Sequence, residues 1–203
     1  MTDIQREIRP GVWVWMIRDS AGLSPPRSSD VAESQGFPAW RAAEFLAGRT
    51  ALRNLLAEVL PQARHARVAY AEGGRPYLVG WPRVGISIAH DNNTVAACVA
   101  KDFAVGVDIQ HPLATVGDSL LRRCLRERAG ELARLPMRRR ATEFAWVWTV
   151  QEACVKAAGT GISGRPWSID VTPRASSGQW NRYQWISMRD ESPVPFSCAF
   201  TRL

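Results

Sequence analysis

The run Val147-Trp148-Thr149-Val150-Gln151-Glu152-Ala153-Cys154-Val155-Lys156-Ala157-Ala158, closed by Gly159-Thr160-Gly161, constrains this chain most. Its apolar residues recur at helical steps and the glycines mark a stop, so a helix ends at about Ala158. On that helix Trp148, Glu152 and Lys156 stand one turn apart on a single face. A glutamate one turn before a lysine is also the favoured surface pair, stabilising a helix by about 0.2–0.5 kcal/mol. Composition weighs against reading it only that way. The chain has two lysines, Lys101 and Lys156, against 24 arginines, and arginine would serve a surface pair equally well. A lysine here suggests that a compact ammonium is wanted.

At 203 residues, 46% of them hydrophobic, the chain can bury a real core as one large domain or two small halves. No apolar run approaches the roughly 18–20 residues that span a membrane, and the acid-bearing start Met1–Glu7 lacks the apolar core of a signal peptide. Cys98, Cys124, Cys154 and Cys198 are scattered, with neither a Cys-x-x-Cys pair nor a Cys/His cluster. They read as reduced, packed thiols of a cytoplasmic protein. The net charge of +7 suits an anionic partner: nucleic acid, a polyphosphate ligand or an acidic protein. No nucleic-acid motif is present, and the aromatics do not interleave with the basic residues as a stacking surface would require.

In chain order, Gly11–Ile17 reads as a strand, Ser20–Gly36 as a polar loop, and Pro38–Leu60 as a helix ended by Pro61. Arg49 and Arg53 share one face of that helix, either as a solvated stripe or as an anion clamp. A strand at Arg67–Ala71 and a turn at Gly73–Leu78 follow. Val84–Ala89 and Val95–Ala100 then form a hairpin about Asp91-Asn92-Asn93-Thr94, with His90 at the end of its first strand. In the next strand, Phe103–Gln110, alternation puts Val105, Val107 and Ile109 on one face and Gly106, Asp108 and Gln110 on the other. A mid-strand acid is either a strand-end group facing water or a metal ligand. An arginine-rich helical segment runs to about Arg140, broken near Pro136. The helix of the opening motif spans about Ala141–Ala158, and Trp167–Val171, Trp180–Met188 and Phe196–Thr201 read as strands of a second sheet. The order in each half is similar, a helix followed by antiparallel strands, which predicts a pseudo-duplicated α+β fold.

Val105-Gly106-Val107-Asp108-Ile109-Gln110, followed about forty residues later by Trp148-Thr149-Val150-Gln151-Glu152-Ala153-Cys154-Val155-Lys156, resembles the paired motifs of the Sfp-type 4′-phosphopantetheinyl transferases. Gly159-Thr160-Gly161-Ile162, Gly74-Arg75-Pro76, Ile86–His90 and Ala47-Gly48-Arg49 with Arg53 resemble further elements of that family, in the family's order, over roughly residues 45–172. The resemblance implies two halves, 1–104 and 105–203, each a helix packed on a mainly antiparallel sheet, with the site at their interface. It also implies Mg²⁺-dependent transfer of the phosphopantetheinyl arm of coenzyme A to a serine of an apo acyl or peptidyl carrier protein, releasing adenosine 3′,5′-bisphosphate.

Under that resemblance Asp108 and Glu152 would hold the metal, with Gln110 a possible third ligand. Glu152 would act as base and Lys156 would neutralise phosphate charge, while Arg49, Arg53, Arg75 and His90 would hold the coenzyme A phosphates. The partner would be acidic, which the net charge suits; position and charge alone, apart from the resemblance, point to His111–Arg140 as the surface that faces it. A monomer in the cytoplasm, with no membrane and no nucleic acid, is the accompanying expectation. Three positions depart from the family pattern. Gln110 stands where relatives carry an acid, Gln151 replaces a lysine and removes a positive charge near the substrate, and Ala89-His90-Asp91 replaces Ser-His-Ser. These departures leave open a relative that binds coenzyme A or a carrier protein without chemistry. A basic nucleic-acid-binding domain is the remaining reading.

Overall fold

A computed structural model describes residues 3–19 and 23–203. Among the described residues, ten strands form two antiparallel sheets. The first orders its strands β1 (Ile4–Arg9), β2 (Val12–Ile17), β6 (Thr94–Lys101), β5 (Val84–Asp91), β4 (Pro76–Leu78) and β3 (Val68–Tyr70). The second orders β7 (Phe103–Ile109), β10 (Phe196–Arg202), β9 (Tyr183–Ser187) and β8 (Ser177–Trp180). The inner faces of the two sheets share one core, which brings Val14, Met16 and Cys98 against Val107, Phe196 and Cys198. Helix α2 (Ala39–Val59) covers the outer face of the first sheet through Leu52, Leu55 and Leu56. Helix α5 (Met137–Ala158) covers the second, with α3 (Asp118–Leu125) and α4 (Ala129–Ala133) packed beside it. The result is a helix–sheet–sheet–helix stack, the α+β architecture expected from the sequence.

Strand β6 shows how the sequence sets this layering. It is apolar on both faces because both are covered: Ala97 and Val99 lie toward α2, and Ala96, Cys98 and Ala100 toward the second sheet. Its small side chains allow the layers to approach closely. The β5–β6 hairpin turns at Asn92 and Asn93, both in the left-handed region (φ 46° and 62°) that asparagine tolerates better than most residues. Helix α5 ends as its glycine predicts. Gly159 adopts φ 73°, its N–H donates to the Lys156 carbonyl at 3.0 Å, and the Thr160 N–H donates to the Val155 carbonyl at 3.0 Å.

Several local expectations are corrected. Within the predicted loop Ser20–Gly36, residues 28–33 form helix α1 (Ser28–Glu33), while Ser20–Gly22 lie outside the described residues. Buried Asp30 holds α1 to α2 through Arg49 and Arg53, a tertiary anchor that local sequence cannot show. The polar segment Ile4–Arg9 is an edge strand, and residues 76–78 pair as β4 rather than only turning. Trp167–Val171 is not a strand: Pro166–Ser168 is a 3₁₀ turn, and Ile169 and Val171 enter the core beside α5. The stretch read as one strand over Trp180–Met188 bends at Asn181 (φ 50°) into the β8–β9 hairpin. Helix α5 begins at Met137, directly after Pro136, one turn earlier than read.

Candidate functional site

Strand β7 and helix α5 build the site between them. Gly106 faces the helix, and a methyl group there would run into the Ala153 carbonyl oxygen, the Ala157 amide and the Lys156 Cβ, the last at 2.8 Å. The missing side chain therefore lets α5 lie directly on the strand. This approach carries Lys156 to Asp108. Its Nζ lies 2.6 Å from Asp108 Oδ1 and donates to the Val107 carbonyl at 3.2 Å. The lysine reaches across to the strand instead of back along its own helix, so it is not the helix-surface partner of Glu152. Alternation along β7 holds as read: Val105, Val107 and Ile109 enter the inter-sheet core while Asp108 turns to α5. Asp108 is neither a solvent-facing strand end nor unpaired.

Burial raises the proton affinity of Asp108, Lys156 opposes that rise, and the Asp91 charge adds to it. Glu152, half-buried, is raised first by burial and then by the Asp108 carboxylate, again with Lys156 opposing. The two acids thus repel each other beside one ammonium. For a carboxyl raised on folding, the folded state holds its proton more tightly than the unfolded chain. The stability associated with that proton is present at low pH and lost as pH rises through the interval between the two values. In metal-free protein, this pair is therefore expected to make urea-unfolding stability fall as pH rises from below about 4, the ordinary carboxylate range, toward neutrality. A rise attributable to these two residues, measured against their amide variants, would contradict the assignment.

Next to the pair opens a cleft of about 260 Å³ between α2, β5, the Gly73–Pro76 turn and the end of α5. Arg49, Arg75, His90 and Lys156 line it, four of the residues that the sequence picks out for phosphate contacts. Gly159 packs against the Arg75 side chain, and His90 Nδ1 lies 3.6 Å from Glu44 Oε2. Arg49 is 1% exposed, so it is not part of a solvated stripe. It approaches Asp30 at 3.4 Å and Glu33 at 2.9 Å, and its guanidinium lies 4.8 Å from the Phe45 ring centroid and 5.6 Å from that of Tyr70. Arg53 does not line the cleft. It is spent on Asp30 and on the carbonyls of Arg64 and Ala66, which makes it a strut for α1 and the segment before β3.

The three departures from the family pattern fall in different places. Gln110 donates to Asp91 at 3.3 Å and to the His111 carbonyl at 3.0 Å, beside the acid pair. Asp91 is engaged by His111 through both its backbone N–H and its ring, so its charge lies toward Asp108. Ala89 is 4% exposed and sits in the inter-sheet core. Gln151 is fully buried, and its amide donates to the Cys124 and Ile169 carbonyls at 2.8 Å each. It ties α5 to the end of α3 and to the 3₁₀ segment instead of facing a substrate, which corrects the expectation that it removes a charge beside one. Gln151→Leu is expected to lower unfolding free energy by about 2–4 kcal/mol, because two buried carbonyls lose their donor. Urea denaturation checks this, and an unchanged midpoint would show that the carbonyls find other partners. Asp30, Glu33, Glu44 and Tyr70, which frame the cleft's arginine and histidine, carry no local motif. Only the fold assembles them.

Residues 104–197 match the sequence model of the 4′-phosphopantetheinyl transferase superfamily. Among individual proteins, the chain is 31% identical over 133 residues to the 4′-phosphopantetheinyl transferase HetI of Nostoc sp., covering 63% of this chain and 56% of that one. It is 34% identical over 127 residues to a Synechocystis sp. protein carrying a 4′-phosphopantetheinyl transferase name, covering 59% and 51%. It is 33% identical over 102 residues to the L-aminoadipate-semialdehyde dehydrogenase-phosphopantetheinyl transferase of Eremothecium gossypii, covering 47% and 37%. The chain spans about half the length of the first two of these relatives and less of the third. Among the described residues no helix is long and apolar enough to cross a membrane, and all four cysteines are free and buried.

Proposed function

We propose that this protein transfers the 4′-phosphopantetheinyl group of coenzyme A to a serine hydroxyl of an apo acyl or peptidyl carrier protein. The observation that carries the reading is the contact of Lys156 with Asp108, beside Glu152, at the edge of a cleft lined by Arg49, Arg75 and His90. The serine oxygen would bond to the phosphorus bearing the pantetheine arm, the anhydride P–O bond would break, and adenosine 3′,5′-bisphosphate would leave. In-line placement and neutralised charge are the main demands of such a transfer.

Each residue has a part that its position supports. Arg75 and His90 bind phosphate oxygens at the cleft wall, where a guanidinium fork suits them. Arg49, near the Phe45 and Tyr70 rings and paired with Asp30 and Glu33, contributes a guanidinium held in place in the cleft wall. Lys156 neutralises charge on the transferred phosphoryl group. Glu152 accepts the serine proton, and its raised proton affinity brings it nearer to a general base's optimum. The donor set also fits Mg²⁺. Asp108 and Glu152 are two repelling carboxylates, and Mg²⁺ is commonly held by one or two carboxylates while keeping its waters. No larger cluster of His, Cys, Asp or Glu with metal-holding geometry occurs among the described residues. When bound there, with Gln110 oxygen as a further candidate ligand, the ion would supply charge neutralisation at the pyrophosphate. Exposed arginines such as Arg122, Arg134 and Arg138 give the α3–α5 side a positive surface for an acidic carrier.

Apo carrier proteins incubated with this protein, coenzyme A and Mg²⁺ are expected to gain the mass of one phosphopantetheinyl arm, and EDTA should prevent it. Coenzyme A binding with no gain on any carrier would replace this reading with that of a non-catalytic binding relative.

A further inference from the structure

The end of β7 away from Asp108 carries a second basic cavity. It opens between the first and second sheets, with a volume of about 190 Å³, and is lined by Arg9, Arg182 and Arg202 around Phe103 and Phe200, with Gln179, Gln184 and Thr201 completing the wall. Phe103 and Asp108 stand five residues apart on one strand, about 17 Å at the rise of a β-strand, so this cavity is separate from the cleft above. No carboxylate lines it, whereas four other clefts of the described surface each include at least one.

The arginines are held in place without acids. The Arg9 guanidinium carbon lies 5.4 Å from the ring centroids of both Phe103 and Phe200, and that of Arg202 lies 5.2 Å from Phe103. The two rings are themselves buried and meet edge to face at 6.1 Å. Arg9 also donates to the Gln184 side-chain oxygen, and Arg182 packs on Tyr183 at 5.5 Å. A guanidinium near a ring face is fixed by its plane while its N–H edges stay available. Three like charges gathered this way repel one another, and a bound anion relieves that repulsion most at low salt, where screening is weak.

The geometry points to a binding site for a small multiply charged phosphate anion of the diphosphate type. Three guanidiniums exceed what one carboxylate neutralises, and arginine's fork matches phosphate oxygens. The ring faces are engaged by the guanidiniums, so recognition is of charge and not of a stacked base. Gln179, Gln184 and Thr201 add neutral hydrogen-bonding groups that discriminate little by charge.

The test is a titration of the whole protein with inorganic pyrophosphate at low salt, followed by backbone amide shifts in two-dimensional NMR. Saturable shifts are expected at Phe103, Gln184, Thr201 and Arg202, apart from any around Arg75. The double variant Arg182→Gln/Arg202→Gln, altered at two exposed positions, should bind at this cavity at least tenfold more weakly while its shifts around Arg75 remain. Arg182→Gln alone should weaken binding by a smaller factor. Inorganic phosphate should bind more weakly than pyrophosphate. Shifts confined to the Arg75 cleft, or an affinity unchanged in the double variant, would overturn the site. Equal affinity for phosphate and pyrophosphate would overturn its diphosphate character.

Discussion

Replacing Glu152 by glutamine is expected to lower carrier phosphopantetheinylation by about 10²–10⁴-fold, the range associated with losing a positioned general acid or base. The substitution preserves shape and removes only the ionisable oxygen. It also removes one side of the Glu152–Asp108 repulsion, which contributes to the raised proton affinity of Glu152. The metal-free variant should therefore be more stable than the parent at neutral pH, and the difference should shrink as pH falls and the parent's glutamate becomes neutral. The kinetic and stability readouts go in opposite directions. A general loss of folding cannot imitate that pattern. Transfer at the parental rate would remove Glu152 from the proton path, and a variant less stable than the parent at pH 7 would refute the electrostatic account of the pair.

The second large effect belongs to a residue without functional groups. Gly106→Ala should lower unfolding free energy by about 3 kcal/mol, the upper part of the usual range for overpacking, because the added methyl meets backbone atoms of Ala153 and Ala157 that cannot rotate away. Relief requires α5 to lift from β7. Lifting the helix separates Lys156 from Asp108, so activity should fall further than the population of folded protein does. Measuring urea stability and single-turnover transfer on the same preparation separates the two losses. Unchanged stability would mean that the helix can slide along the strand, and the close approach would then not be what positions the lysine.

The sequence makes the centre of this site legible and leaves its frame obscure, for a physical reason. Gly106, Asp108, Glu152 and Lys156 lie on two regular elements whose periodicities fix which way each side chain points, so the meeting of strand and helix can be anticipated. Arg49 and Arg53 also lie on one helix face, but their surroundings come from α1, a six-residue helix whose buried Asp30 acts only through tertiary contacts. Periodicity cannot distinguish a cleft-lining arginine from a strut. Gln151 shows the same limit. Its place in the motif suggests the substrate, yet its position on α5 turns it into the core, toward the Cys124 and Ile169 carbonyls. The strand expected at Trp167–Val171 fails because Pro166 opens a 3₁₀ turn through Ser168, after which Ile169 and Val171 pack into the core beside α5.

Strand β7 has one face in the inter-sheet core and the other against the helix that carries Lys156 and Glu152. The consequence is mechanical. Side chains such as Cys198 and Phe196 touch no part of the cleft, yet they support the strand from which Asp108 projects. Volume-conserving changes there, which cost little stability, should still register as altered turnover. The Gly73–Arg75 turn on the other side of the cleft has little more latitude, because a methyl at Gly73 would meet the Gly159 carbonyl oxygen at 2.5 Å, Gly74 adopts φ 78°, and Arg75 itself lines the cleft.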